Sequence, residues 1–343
     1  MTTDRNNAVP RRTLLTGALA GTGLAALGAT GAEAATGFVK GADISWVPQM
    51  EANGYYWCDR NGNRADILAI LKTYGITAVR LRAFVNPSSS PQDGHCSTEE
   101  TARFARRCKD AGMQVMIDPH FGDTWNSVGV QNPPAAWADM TYSQMQQAMY
   151  DYVYHLMMVL KYHRVSPAWV QLGNETNPGI CVPTGSVRYN PAQLAGLLNA
   201  AHDMVKEVFP AAQTIVHLAQ PQHGDVITNW LDTYRNHGGR WDISGFSSYA
   251  SGAATIDAIA NNIEGFKNRY GKPVMQVEFG GRWDRAERTK ADLSYFIQKM
   301  RSIGALGLFY WAPEGYSPFT DYQMCAWDPA TRRPTVAMDG FLV

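Results

Sequence analysis

Past residue 34 the chain alternates short apolar runs with longer stretches whose apolar positions recur at helical spacing. The runs that read as strands are Phe38–Ser45, Thr77–Phe84, Gln114–Phe121, Ala168–Glu175, Thr214–Ala219, Ile243–Tyr249, Pro273–Phe279 and Leu306–Trp311. Each begins with a compact apolar block, as a parallel strand covered on both faces does. Between them, Ala65–Tyr74, Thr98–Ala111, Tyr142–His163, Pro191–Phe209, Asp225–Arg235, Thr255–Tyr270 and Lys290–Ile303 read as helices. Gly75, Gly112, Gly271 and Gly304 stand just past four of these, where a helix ends in a left-handed residue. Eight strands with intervening helices in roughly 300 residues predict one α/β domain, a (β/α)8 TIM barrel. A doubly wound sheet fits less well, because no glycine-rich dinucleotide fingerprint follows the first strand. No linker, repeat or low-complexity run divides the domain.

Residues 1–34 stand outside this pattern. Arg11-Arg12 precede a mildly apolar run diluted by glycine, and Ala32-Glu33-Ala34 supplies a small-residue cleavage site. The segment resembles a twin-arginine export signal rather than a span, since its apolar run falls short of the ~20 residues a membrane requires. The expected division is therefore an export signal over 1–34 and a secreted catalytic domain over 35–343.

Composition narrows the partners. Thirty basic residues balance thirty acidic ones, and only 17% of the chain is charged. This excludes a phosphate-neutralising stripe for nucleic acid and a disordered polyelectrolyte. Losing Arg5, Arg11, Arg12, Asp4 and Glu33 with the signal leaves a net charge of about −1. The 11% aromatic content suits an uncharged ligand with flat faces. A monomer free of the membrane is expected after export. The five cysteines match no zinc spacing, and no metal or cofactor is expected. In an oxidising compartment Cys58–Cys96 and Cys181–Cys325 are conceivable pairs, while Cys108 falls inside a helix and reads as a buried thiol.

In such a barrel the active site gathers at the C-terminal strand ends. Those ends carry Asp43 and Ser45, Arg80 and Arg82, Asp118 and His120, Asn174-Glu175, His217, Ser248-Tyr249, Glu278, and Tyr310-Trp311. Glu175 and Glu278 close the fourth and seventh strands, which lie nearly opposite one another. Two carboxylates across a barrel mouth are what hydrolysis of a glycosidic bond requires.

The motifs are narrower than that. GADIS at 41–45, VRLRAFVNP at 79–87, AGMQVMIDPHFGDTW at 111–125, Gln131 with PAAW at 134–137, VQLGNE at 170–175, SSY at 247–249 and FYW at 309–311 together resemble glycoside hydrolase family 53. This is the family of arabinogalactan endo-β-1,4-galactanases, and the resemblance runs from about Phe38 to Trp311. It implies a retaining double displacement on β-1,4-galactan, with Glu175 as acid/base and Glu278 as nucleophile. Asn174 is then the donor to the sugar 2-hydroxyl. Arg80 or Arg82 holds Glu278 ionised, Tyr249 donates to it, and a raised pKa is expected at Glu175. His120 and His217 line the mouth, Trp311 floors a subsite, and Trp125 and Asp123 face the substrate, Asp123 in preference to Asp118. Trp57, Trp137, Trp283, Tyr316 and Trp327 are further loop aromatics. The chain departs from the family after GNE, where TNPGICVPTG lacks the usual Trp, and after strand eight, where YWAPEG replaces YWEP. These departures bear on the glycan cut, so mannan, xylan and β-glucan stay open as substrates. A noncatalytic carbohydrate-binding barrel is the remaining alternative.

Overall fold

The computed structural model describes residues 37–90, 95–315 and 321–343. The expected export signal and Tyr316 lie outside the described residues. Eight parallel strands close a barrel in chain order: β1 Val39–Asp43, β2 Ala78–Ala83, β3 Gln114–Pro119, β4 Trp169–Gln171, β5 Gln213–Ala219, β6 Ile243–Ser247, β7 Val274–Phe279 and β8 Gly307–Trp311. The barrel closes where β1 pairs with both β2 and β8. Around it run α1 Ile67–Thr73, α2 Thr98–Asp110, α3 Tyr142–Tyr162, α4 Pro191–Val208, α5 Gly224–Asn236, α6 Ala253–Tyr270 and α7 Ala286–Ser302.

Local chemistry explains the helix limits. Asp66 and Ser97 accept backbone N–H groups at the starts of α1 and α2, and Thr141 with Gln144 forms a capping box on α3. Gly75, Gly112, Gly271 and Gly304 adopt φ of 76, 80, 61 and 65°, so they terminate their helices as the sequence predicts.

Two layers fill the barrel interior. The lower one is apolar and takes one residue from every strand: Val39, Ala78, Met116, Trp169, Ile215, Ile243, Met275 and Phe309, joined by Val277. A β-strand repeats its facing every two residues. The same inward parity therefore carries Arg80, Asp118, Gln171, His217 and Trp311 into the layer above. Gly41 makes room for this packing, because a Cβ there would lie 2.3 Å from the Phe309 ring. A second, larger core joins the helices to the outside of the barrel.

Two expectations are corrected. The fourth strand ends at Gln171 rather than Glu175, because Gly173 and Glu175 take φ of 90 and 45° and leave the extended region. All five cysteines are buried free thiols, so neither conceivable disulfide forms. Cys96, Cys181 and Cys325 face separate carbonyls, those of Ser45, Phe121 and Trp327. Among the described residues no helix is long and apolar enough to cross a membrane.

Candidate active site

Arg80 organises the barrel mouth. It is fully buried, and its nitrogens reach Gln171 Oε1 at 2.7 Å, Asp43 Oδ2 at 2.7 Å, Asp118 Oδ2 at 2.7 Å, Asn174 Oδ1 at 2.8 Å and Glu278 Oε1 at 2.8 Å. Burial works against its charge, but Asp118, Glu278 and Asp43 outweigh that and keep the guanidinium protonated. One cation thus serves three carboxylates. Burial also works against Asp118, yet Arg80 and His120 hold it well below the usual carboxylate range.

Glu278 is the carboxyl left under-compensated. Burial pushes it up to about 8; Arg80 pulls against this, while the charges of Glu175 and Asp118 add to the rise. Its second oxygen, Oε2, accepts from the Tyr249 hydroxyl at 2.9 Å. Tyr249 keeps 40% of its surface open while turning that hydroxyl inward. Glu278 reaches the mouth through an irregularity in β7. Its ladders to β6 and β8 both shift register near it, so Val277 and Glu278, adjacent in sequence, both serve the interior. Gln276 stabilises the displaced backbone by donating to the Glu278 carbonyl at 2.6 Å.

Glu175 faces this pair from the end of β4. Its Oε1 accepts from Ser247 Oγ at 2.7 Å and its Oε2 from the Val128 N–H at 3.1 Å. A non-glycine residue at φ 45° is strained, and strain of this kind persists where surrounding contacts over-determine it. Here the Glu175 N–H donates to His217 Nδ1 at 3.3 Å, and Gln131 donates to the Asn174 and Glu175 carbonyls.

A family model described as glycosyl hydrolase family 53 matches residues 39–329. The chain belongs to that family. It is therefore an O-glycosyl hydrolase. An arabinogalactan endo-β-1,4-galactanase of Cellvibrio japonicus is 28% identical over 322 residues, covering 84% of each chain. A family 53 catalytic domain from Ignisphaera aggregans superposes with a TM-score of 0.81 at 27% identity, over 89% of this chain and 95% of that one. A structure of fungal β-1,4-galactanases gives 0.80 at 23% identity, over 89% and 98%, a likeness of fold.

Within this family 53 site the candidate residues separate into distinct roles. Arg80, not Arg82, meets Glu278. Arg82 is buried one step further along β2, its guanidinium 4.1 Å from the Trp125 ring centroid, 5.0 Å from that of Trp46 and 4.0 Å from Asp43 Oδ1. His120 and His217 are buried and orient neighbours instead of lining an open surface. His120 Nδ1 accepts the Asn126 N–H at 3.1 Å and its Nε2 lies 3.1 Å from Asp118. Burial, reinforced by the Arg80 charge, holds His217 well below the ordinary imidazole range. Asp123 ties down the third loop, since its oxygens accept the N–H groups of Asn86 at 3.0 Å and Ala135 at 2.9 Å. Asp118 is the acid wired to the site.

Asn174 accepts from Arg80 and donates one amide hydrogen to the Asn126 carbonyl at 2.8 Å, which leaves its other hydrogen for a ligand. Trp125 and Trp311 pack edge to face at 5.8 Å and stay partly open, forming one aromatic wall. Trp57, Trp137 and Trp327 are buried in the core and Trp283 is half-buried. Gln171, Ser247 and the Val128 N–H complete the network without having been singled out by sequence. Gln171 links Arg80 to Asp118 at 2.9 Å and to His217 at 3.0 Å. Among the described residues no group of His, Cys, Asp and Glu could hold a metal ion.

Proposed function

We propose that the chain is a secreted retaining endo-β-1,4-galactanase, exported through a twin-arginine signal at residues 1–34. The galactanase relatives support the substrate class. The observation that carries the mechanism is the opposed pair of glutamates, each gripped at both oxygens by fixed donors. Ionised Glu278 attacks the anomeric carbon while Arg80 and Tyr249 hold its oxygens in line. Glu175 protonates the departing glycosidic oxygen, and the bond to that oxygen breaks as the galactosyl ester on Glu278 forms. Water then enters on the leaving-group side, gives its proton to Glu175 and releases the sugar with its β configuration kept. The spare Asn174 amide hydrogen reaches the 2-hydroxyl, and Trp311 with Trp125 supports the apolar face of the ring.

A panel of galactan, arabinogalactan, mannan, xylan and β-glucan tests this, with reducing-sugar release as readout. Galactan is expected to be cut to mixed oligosaccharides, with β anomers formed first in the NMR spectrum. Glu175→Gln and Glu278→Gln are each expected to lose about 10³-fold or more of that activity. Turnover of another glycan in place of galactan overturns the substrate assignment, and α anomers formed first overturn the mechanism.

A further inference from the structure

The loop after β7 carries more positive charge than the glutamate pair needs. Beside Tyr249, Gly280, Gly281, Arg282, Arg285 and Arg288 help to line a cavity of about 170 Å³. It adjoins the site directly, because Tyr249 presents its hydroxyl to Glu278 and its ring to the cavity. Two of the three arginines are neutralised locally. Arg282 donates to both oxygens of Asp284, at 2.8 and 2.6 Å. Arg288 donates to Asp292 at 3.0 Å, an acid that also accepts from Ser251 at 2.7 Å and from the Gly252 N–H at 3.0 Å. The Arg285 backbone N–H donates to the Arg282 carbonyl at 3.1 Å, but its guanidinium has no hydrogen bond or ion pair among the described residues. The cavity therefore holds one guanidinium without a direct partner, which meets the neighbouring Asp284 only through its charge.

The lining also includes apolar and side-chain-free positions, Ala250, Phe279, Gly280, Gly281 and Met324. A Cβ on Gly280 would stand 2.8 Å from the Tyr249 ring, and one on Gly281 would stand 2.5 Å from Thr289 Oγ1. Neither glycine has a positive φ, so backbone conformation does not demand them; what they provide is room. Apolar lining with a few polar groups is how proteins hold a small ligand. A free guanidinium selects a planar carboxylate, which it meets with two parallel hydrogen bonds.

We propose that this cavity is a subsite for a uronic acid unit of the galactan substrate, with Arg285 recognising its carboxylate. The inference rests on the galactanase reading above. Its test compares kcat/KM on a galactan bearing uronosyl units with kcat/KM on the same polymer after chemical reduction of the carboxyl groups. The native enzyme is expected to prefer the acidic polymer by about tenfold, what one charge-assisted contact supplies. Arg285→Ala is expected to abolish that preference and Arg285→Lys to restore part of it, with both variants as active as the native enzyme on unsubstituted galactan. Equal rates on the acidic and reduced polymers, with galactan still cleaved, overturn the subsite and leave the galactanase reading intact. Failure to cleave any of the three polymers overturns the galactanase reading, and the subsite with it.

Discussion

Tyr249→Phe and Asp118→Asn are expected to move the same titration in opposite directions. The nucleophile works ionised, so kcat/KM must rise with pH through the pKa of Glu278 in the free enzyme. That carboxyl is pushed up to about 8 from an ordinary value of 4.5. Near pH 6 about one molecule in a hundred then carries the active form, against nearly all of them for an unperturbed glutamate. Tyr249 donates to the charged oxygen at 2.9 Å, and a bond of this kind contributes roughly 1.5 kcal/mol or more. Its loss should raise the rising limb by about one pH unit. Asp118 competes for the same guanidinium, and its negative charge adds to the rise at Glu278. Neutralising it leaves Arg80 more fully to Glu278 and should lower the limb by a similar amount. The assay is initial-rate hydrolysis of galactan from about pH 5 to pH 10, with melting curves confirming that both variants are folded. A native limb near 4.5 refutes the under-compensated nucleophile. Displacement of both variants in the same direction refutes the sharing of Arg80.

The stability of Glu278→Gln should depend on pH in a defined sense. An acid whose folded pKa lies above its unfolded value contributes stability in full below about 4.5, and that contribution drains away as pH rises through about 8. The glutamine cannot ionise, so the variant is expected to melt above the native protein near pH 9 and close to it near pH 5; an equal difference at both pH values contradicts the reading. Asp123→Ala frees two backbone N–H groups, one in the second loop and one in the third, and is expected to cost about 1–2 kcal/mol of stability. It should raise KM while the rising limb of kcat/KM stays in place, whereas a fall in kcat at unchanged KM would show that Asp123 touches the reacting sugar.

The barrel was readable because its signals are local: apolar blocks of strand length, helical spacing between them, and glycines where helices stop. The choice between Asp118 and Asp123 was also within reach. Counting in twos from Met116 puts Asp118 on the inward face of β3, whereas Asp123 lies beyond the strand where that count no longer holds. The same count marks Gln171, two residues after Trp169. It does not separate Arg80 from Arg82. Both point inward, and only the three-dimensional surroundings make one the hub of a carboxylate network and the other a cation stacked among indole rings.

The two glutamates depart from any count. Glu278 follows Val277, which already faces the interior, and regular alternation would turn the carboxyl outward; the register shifts flanking β7 bring it back. Glu175 lies past the last ladder residue of β4 in a left-handed conformation, where strand parity has no meaning. Their placement comes from long-range contacts that sequence spacing does not encode. Arg80, the Gln276 amide, the His217 ring and the Val128 N–H come from β2, β7, β5 and the third loop. A regular strand end would present either carboxylate more cheaply but would leave it free to choose among rotamers. The irregular backbone fixes the direction of each before any substrate arrives, and fixed charges of this kind are what lower a glycosidic barrier. The sequence therefore identifies which glutamates are chemical through the motifs around them, while the departure from regular strand geometry determines how they are aimed.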